Sequence, residues 1–241
     1  MSVASLARLE PNRERLGAAG AVELVLAGLE QHAKIDSVVT TMATATDRLC
    51  QDSESNKAKF LRGGIIEKLL TLLSLHDKSA GVAEETLRAL VTISGNKPPA
   101  ERIRSDDSFK LYVRGIRYHD KSEKVARWGS NLIYCCALVD DATRVKLGEV
   151  KACDAIVGVL QKHGSVDAPA AFWASRALVA LSLSVPNRMR FVHSDSCLYI
   201  VKSLDVRIRF SIIIIIMTTH LLLLVTSLGA QGRRHDIGVT L

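Results

Sequence analysis

The sequence contains an internal repeat of 43–44 residues, and this periodicity constrains the fold more than any other feature. Similar segments begin at Asn12, Asn56, Pro99, Thr143 and Asn187, at intervals of 44, 43, 44 and 44 residues. Apolar residues recur in register four, ten and seventeen positions after each start. These three columns contain Leu16, Phe60, Ile103, Leu147 and Phe191; Val22, Ile66, Phe109, Cys153 and Cys197; and Leu29, Leu73, Ile116, Leu160 and Leu204. We expect successive copies to bury these columns against one another.

Within each copy, the apolar residues follow helical spacing rather than the alternation of a strand. Gly20 and Gly64 lie eight positions after their starts, where a left-handed glycine suits the end of one helix and the start of the next. Each copy is therefore predicted to contain a short helix, a turn, a middle helix, a loop and a long apolar helix. The third copy has Asp107 in place of the glycine and Pro98-Pro99 at its start, which predicts a distorted first helix.

These copies resemble the repeats of the armadillo family. The opening Asn-x-x-x-apolar-x-x-x-Gly-x-Ile/Val and the final-helix sequence at residues 86–94 carry the resemblance, and the glycine favours armadillo over HEAT repeats. The resemblance covers roughly residues 10–204. It implies an all-α fold, a right-handed superhelical α-solenoid of about 4.5 armadillo-type repeats, forming an array over residues 1–204.

The resemblance also implies that a ligand binds along the concave surface formed by the final helices. Aligning these helices gives two ladders, one with Thr41, Glu85, Trp128 and Trp173 and the other with Thr44, Arg88, Asn131 and Arg176. The predicted groove residues are Glu85, Arg88, Trp128, Asn131, Trp173 and Arg176. Residues three apart share a helix face, so both ladders point the same way. For the two tryptophans, two placements stay open: exposure in the groove, or packing between neighbouring helices.

The groove residues favour a protein or peptide partner that is acidic or amphipathic. Importin-α adaptors of the same family bind basic signals through Trp-Asn pairs, which would align here with Arg88/Thr92, Asn131/Cys135 and Arg176/Ala180. None of these is a Trp-Asn pair, and two arginines would repel a basic peptide. A nuclear-transport adaptor is therefore a less favoured alternative. The net charge of +7 is spread along the chain, which argues against a nucleic-acid partner.

A column of four histidines invites a metal hypothesis, but a structural role fits better. His32, His76, His119 and His163 each lie twenty positions after a repeat start. Equivalent positions in packed helices are about 10 Å apart, whereas zinc ligands lie about 2 Å from the metal. We expect these histidines at the carbonyl ends of the middle helices. No catalytic motif occurs, so the prediction is a non-enzymatic scaffold without catalytic residues, metal or cofactors.

The five cysteines are interpreted as reduced. Their number is odd, no CxxC occurs and the first residues lack the apolar core of a signal peptide, which predicts a cytoplasmic or nuclear protein. Cys153 and Cys197 fall in a core column, and Cys135 and Cys136 fall in a final helix, so we expect all four to pack in the interior.

Residues 205–241 do not continue the repeat. They include five isoleucines at 212–216 and four leucines at 221–224. Three interpretations stay open: a membrane anchor over residues 212–228, a buried helix that closes the array, or non-native sequence from a retained intron or frameshift. The abrupt start of the runs favours the last. A genuine anchor would make the protein a tail-anchored membrane adaptor whose array recruits partners.

Overall fold

The structure, a computed structural model, describes residues 3–95 and 101–193. This described part is all helical and contains no strand. Contacts between Cα atoms divide the chain after Ser203. The segment at residues 205–241, with the membrane-anchor and closing-helix interpretations, lies outside the described residues, as do Cys197 and Leu204. Within the described ranges, no helix combines the length and apolar character needed to cross a lipid bilayer.

The helices recur in a fixed order of short, middle and long. The short helices have nine residues each and are α2 (Glu10–Ala18), α5 (Glu54–Arg62), α10 (Asp141–Glu149) and α13 (Val185–His193). The middle helices are α3 (Ala21–Gln31), α6 (Ile65–Leu75), α8 (Asp106–Tyr118) and α11 (Ala152–His163). The long final helices have fifteen residues each and are α4 (Asp36–Cys50), α7 (Ala80–Ser94), α9 (Glu123–Ala137) and α12 (Ala168–Ser182). A four-residue helix, α1 (Val3–Leu6), precedes them.

Helices of the same kind contact one another in succession. Helix α4 packs on α7, α7 on α9 and α9 on α12, so the final helices form one row. The middle helices form a second row, from α3 through α6 and α8 to α11. Each copy thus covers the apolar face of the next, as an amphipathic helix requires.

The three apolar columns lie in the core, as the periodicity predicts. Phe60, Ile103 and Leu147 are fully buried in the first column, and Leu16 is partly buried at the chain's first copy. Every described member of the other two columns is at most 6% exposed. The predicted interior positions of Cys136 and Cys153 are confirmed, whereas Cys135 is only partly buried.

Side-chain caps define where six helices begin. In each case a serine or aspartate oxygen accepts a hydrogen bond from the backbone N–H three residues later, which satisfies a donor that the helix leaves free. The capping residues are Ser53, Ser79, Ser105, Ser122, Asp140 and Asp167.

The turn between the short and middle helices requires a left-handed residue. Gly20 has φ of 87° and Gly64 has φ of 69°, which confirms the predicted glycine conformation. Lys151 occupies the same place in the fourth copy with φ of 65°, which the sequence did not reveal. In the third copy, the described residues before α8 form a 3₁₀ helix at Glu101–Arg104, in line with the predicted distortion of the first helix, and Ile103 still fills the core column.

The left-handed turn gives a reciprocal test of backbone strain. Lys151→Gly should raise the free energy of unfolding by about 1 kcal/mol. The left-handed conformation costs a residue with a Cβ about 1–2 kcal/mol, and glycine avoids this strain. The greater conformational entropy of glycine in the unfolded chain offsets part of the gain. Gly64→Lys should lower the free energy of unfolding by about the same amount. Urea denaturation followed by far-UV circular dichroism measures both. Equal signs for the two exchanges would contradict a shared turn geometry.

The histidine column lies at the ends of the middle helices, as predicted, but its hydrogen bonds run between copies. The Nε2 atoms of His76, His119 and His163 lie 2.6, 2.9 and 2.8 Å from backbone carbonyl oxygens. Those carbonyls belong to Ala33, Asp77 and Asp120, each directly after the preceding histidine of the column. Each histidine therefore joins its copy to the loop that follows the previous middle helix.

A buried asparagine forms a second connection between copies. The Nδ2 atom of Asn56 donates to the carbonyls of Arg13 and Leu49, both at 3.0 Å, and Asn56 is fully buried. Asn187 repeats this arrangement three copies later, with bonds of 2.7 Å to Arg144 and 3.2 Å to Leu181. The anchor asparagine thus binds the previous short helix and the end of the previous final helix.

Candidate functional site

A cavity of about 1120 Å³ opens beside the row of final helices. Its walls come from the ends of α4, α7 and α9, the middle of α12 and one face of α5. The lining residues include Lys57, Leu61, Thr92, Asn131, Tyr134, Cys135, Leu138, Trp173 and Arg176. Three of the six predicted groove residues, Asn131, Trp173 and Arg176, therefore line one cavity.

An arginine surrounded by aromatic rings forms one wall of this cavity. The Arg176 guanidinium carbon lies 4.6 Å from the ring centre of Tyr134, 5.4 Å from Phe172 and 5.5 Å from Trp173. Its Nη2 donates a hydrogen bond of 2.5 Å to the Tyr134 hydroxyl. The rings of Tyr134 and Trp173 are 5.9 Å apart. The rings stabilise the cation through its attraction to their π faces.

Glu85 and Arg88 belong to a polar cluster between α4 and α7. Arg88 Nε lies 3.0 Å from Asp47 Oδ2, and another Arg88 nitrogen pairs with Glu85. Glu85 also accepts a 2.7 Å hydrogen bond from Thr44. Asp47 is 1% exposed and accepts a further bond from Thr92 at 2.6 Å. Two carboxylates therefore match the charge of Arg88, and burial raises the pKa of Glu85.

Trp128 and Asn131 are both held by neighbouring side chains. Trp128 is partly buried against the hydrophobic core, and the Arg127 guanidinium covers its ring at 4.4 Å from the ring centre. Trp128 is not among the residues that line the cavity. Asn131 is 5% exposed, and its Oδ1 lies 3.5 Å from the Cys135 sulfur. Of the two tryptophans, Trp173 alone faces the cavity.

Side chains of neighbouring final helices meet with an offset of three residues. Thr44 contacts Glu85 rather than Arg88, its counterpart in the alignment. Arg88 contacts Asp47, one turn beyond Thr44. Arg176 contacts Tyr134, which occupies the position of Asp47 two copies later in the chain. The two arginines are thus held in the same way, one by a carboxylate and the other by a phenol.

Tyr134 and Asp47 are the site residues that the sequence prediction missed. They share a column with Val91 and Val179. A polar residue in an otherwise apolar column was the signal that could have found them, since burying a polar group is costly unless it has a partner.

Burial disfavours the thiolate form of the cysteines. Burial raises the pKa of the Cys135 thiol and, more strongly, that of Cys136. Burial also raises the pKa of Cys153 to about 12. These thiols stay protonated at neutral pH, and the thiolate is the reactive form. In residues 3–95 and 101–193, no three metal-ligating side chains come together.

Comparisons with known proteins identify fold relatives and no family. No family model matches the chain, and no curated protein matches it. Two solved structures of engineered proteins from the Northeast Structural Genomics Consortium are similar to it, both with a TM-score of 0.71. The first is 20% identical over 84% of this chain and 81% of that chain. The second is 18% identical over 93% and 87%. The likeness concerns the fold alone.

Proposed function

We propose that this protein is a non-enzymatic scaffold that binds an acidic or amphipathic peptide segment of a partner protein beside its final helices. The single observation that carries the proposal is the cavity of about 1120 Å³ in which Trp173 and Arg176 lie together. A tryptophan in a cavity offers a large apolar contact, and arginine and tryptophan are the residues most enriched among binding hot spots.

The charges around the cavity favour an acidic group in the ligand. No carboxylate among the described residues forms an ion pair with Arg176, whose partners are the three aromatic rings and the Tyr134 hydroxyl. Other cavity charges are matched, since Lys57 pairs with Glu54 at 2.9 Å and Asp52 pairs with Arg13 at 3.2 Å. A ligand carboxylate beside Arg176 would form a charge-assisted hydrogen bond.

The proposal includes the finer architecture that the repeat predicts, a right-handed superhelix of armadillo-type repeats. The recurring order of short, middle and long helices supports it, as does the packing of each row of equivalent helices. In such an array, the final helices lie side by side, and a peptide running across them contacts several copies.

A displayed library of random twelve-residue peptides provides the test. We expect the wild-type protein to enrich peptides with an acidic residue near an apolar or aromatic one. Trp173→Ala should weaken the binding of an enriched peptide at least about tenfold, as the loss of a hot-spot residue does. Isothermal titration calorimetry with the synthetic peptide measures the change.

Tyr118→Ala is the matched control for this test. Tyr118 is 57% exposed at the end of α8 and does not line the cavity, so its removal should leave the affinity unchanged. Equal losses in the two variants would place the peptide elsewhere on the surface. A wild-type protein that enriches no peptide would argue against the proposal.

A further inference from the structure

We infer that Tyr134 determines the charge preference of the cavity, because it holds Arg176 without neutralising it and leaves this cation free to bind an aspartate or glutamate side chain of the peptide. The inference rests on the proposed function and deepens it. According to this inference, Tyr134 of α9 makes the protein select an acidic peptide over a neutral one.

The chain contains its own comparison for this assignment. Arg88 and Arg176 occupy equivalent positions of α7 and α12, and each contacts the residue one turn further along the preceding final helix. That residue is Asp47 for Arg88 and Tyr134 for Arg176. The Asp47 carboxylate, with Glu85, leaves the first arginine without surplus positive charge. A phenol hydroxyl, unlike a carboxylate, brings no acidic oxygen pair to the second arginine, which has no carboxylate partner among the described residues.

Tyr134 also orients the cation. Its hydroxyl takes one guanidinium N–H of Arg176 at 2.5 Å, and its ring lies 4.6 Å from the guanidinium carbon. A guanidinium has five N–H donors in a planar fork that matches a carboxylate, and the hydrogen bond to Tyr134 uses one of them. An arginine held in advance loses less conformational entropy when the ligand binds.

Quenching of Trp173 fluorescence by ions tests the charge of the site without any peptide. In a Trp128→Phe background, Trp173 is the only tryptophan, and Arg176 lies 5.5 Å from its ring centre. Iodide is an anion and caesium a cation, so a positive charge near Trp173 strengthens quenching by iodide and weakens quenching by caesium. A change in the exposure of Trp173 affects both quenching constants alike and cancels in their ratio. A unit charge at this distance changes the ratio about threefold after screening by salt.

Tyr134→Asp and Tyr134→Asn form the matched pair, since they have the same size and differ in charge. We expect Tyr134→Asp to lower the ratio of iodide to caesium quenching about threefold, as Arg176→Gln should also do, whereas Tyr134→Asn should leave it near the wild-type value. An unchanged ratio in Arg176→Gln would overturn the inference even if the Tyr134 variants do not fold. Equal ratios for Tyr134→Asp and Tyr134→Asn would also overturn it.

A peptide arm separates this inference from the proposed function. The wild-type protein should bind an enriched peptide about tenfold more tightly than the same peptide with its Glu replaced by Gln. This preference should disappear in Tyr134→Asp and persist in Tyr134→Asn. Tight binding without any preference for Glu would overturn the role of Tyr134 and retain the scaffold. If no peptide binds, the proposed function fails, and the quenching ratios still decide whether Tyr134 leaves Arg176 unneutralised.

Discussion

Arg88→Met should lower the free energy of unfolding by about 3–5 kcal/mol, the cost of removing one partner from a buried ion pair. Asp47 is 1% exposed, and its remaining partners are the neutral side chains of Thr92 and Gln51 and the more distant Arg48, 4.0 Å away. The Glu85 carboxylate, 13% exposed, stays in the same cluster. The variant therefore keeps two like charges in the contact between α4 and α7 without the cation that separates them. Urea denaturation followed by far-UV circular dichroism measures the loss.

The loss in Arg88→Met should be smaller at pH 5 than at pH 7.5. Burial already raises the pKa of Glu85 above its ordinary 4.5, and Arg88 works against that rise. When an acid has a higher pKa in the folded state, the folded protein binds the proton more tightly than the unfolded chain does. Stability then increases as the pH falls through the folded-state pKa and levels off below the unfolded one. Removing Arg88 raises the pKa of Glu85 further. Acidification therefore stabilises the variant more than it stabilises the wild-type protein, and the difference in unfolding free energy between them becomes smaller.

A charge-free version of the cluster serves as the control. The triple variant Asp47→Leu, Glu85→Gln and Arg88→Met removes both carboxylates together with the cation. Because apolar replacement of a buried ion pair is often neutral or stabilising, it should recover most of the stability lost in Arg88→Met. A triple variant as unstable as Arg88→Met would show that packing of the arginine stem, and not charge, sets the cost.

The repeat could be predicted from sequence because its cause is local. Apolar spacing within each copy predicts the helices, and the shared columns predict the core that Phe60, Phe109 and Leu160 occupy. The prolines at the start of the third copy predict a distorted first helix for a local reason too, since proline removes a backbone donor. These features need no knowledge of which side chains meet across copies.

The groove was only partly predictable because its pairing depends on the offset between helices. Aligning equivalent positions put Glu85, Arg88 and Trp128 on one face of the final helices and left the exposure of Trp128 open. In the structure, the three-residue offset gives Arg88 a carboxylate partner. Trp128 is partly buried against the core. Arg88 contacts the carboxylate of Asp47 and Arg176 contacts the phenol of Tyr134, and this difference appears only once the offset is known.

Gly17→Ala should lower the free energy of unfolding by about 2–4 kcal/mol, although alanine is the better helix former by about 1 kcal/mol. A Cβ at Gly17 would lie 1.7 Å from Asn56 Oδ1 and 2.6 Å from Asn56 Cγ. The buried asparagine would have to move and give up its bonds to two backbone carbonyls, each worth about 1–3 kcal/mol when left unpaired. Gly148 faces Asn187 in the same way, at 1.8 Å.

The glycine and the asparagine of the next copy are therefore one structural unit, and the sequence shows them together. The first and fourth copies have glycine five positions after their starts, and the copies that follow them start with Asn56 and Asn187. The second and third copies have Leu61 and Arg104 at that place and are followed by Pro99 and Thr143. The fifth position after the start is glycine when the next copy begins with asparagine, whose side chain needs the space. It is a larger residue when the next copy begins with proline or threonine.

The effect of Gly17→Ala should accordingly reverse its sign once Asn56 is truncated. In an Asn56→Ala background, the clash is absent and the helix propensity of alanine dominates, so Gly17→Ala should stabilise the protein by up to about 1 kcal/mol. Gly115→Ala and Gly158→Ala are the matched controls. Both glycines lie inside helices, and no neighbouring group comes within 4 Å of the position that a Cβ would occupy, so both should stabilise the wild-type protein by up to about 1 kcal/mol. A loss at Gly17 of the same size in both backgrounds would separate the glycine from the asparagine and assign its role to the turn of α2 alone.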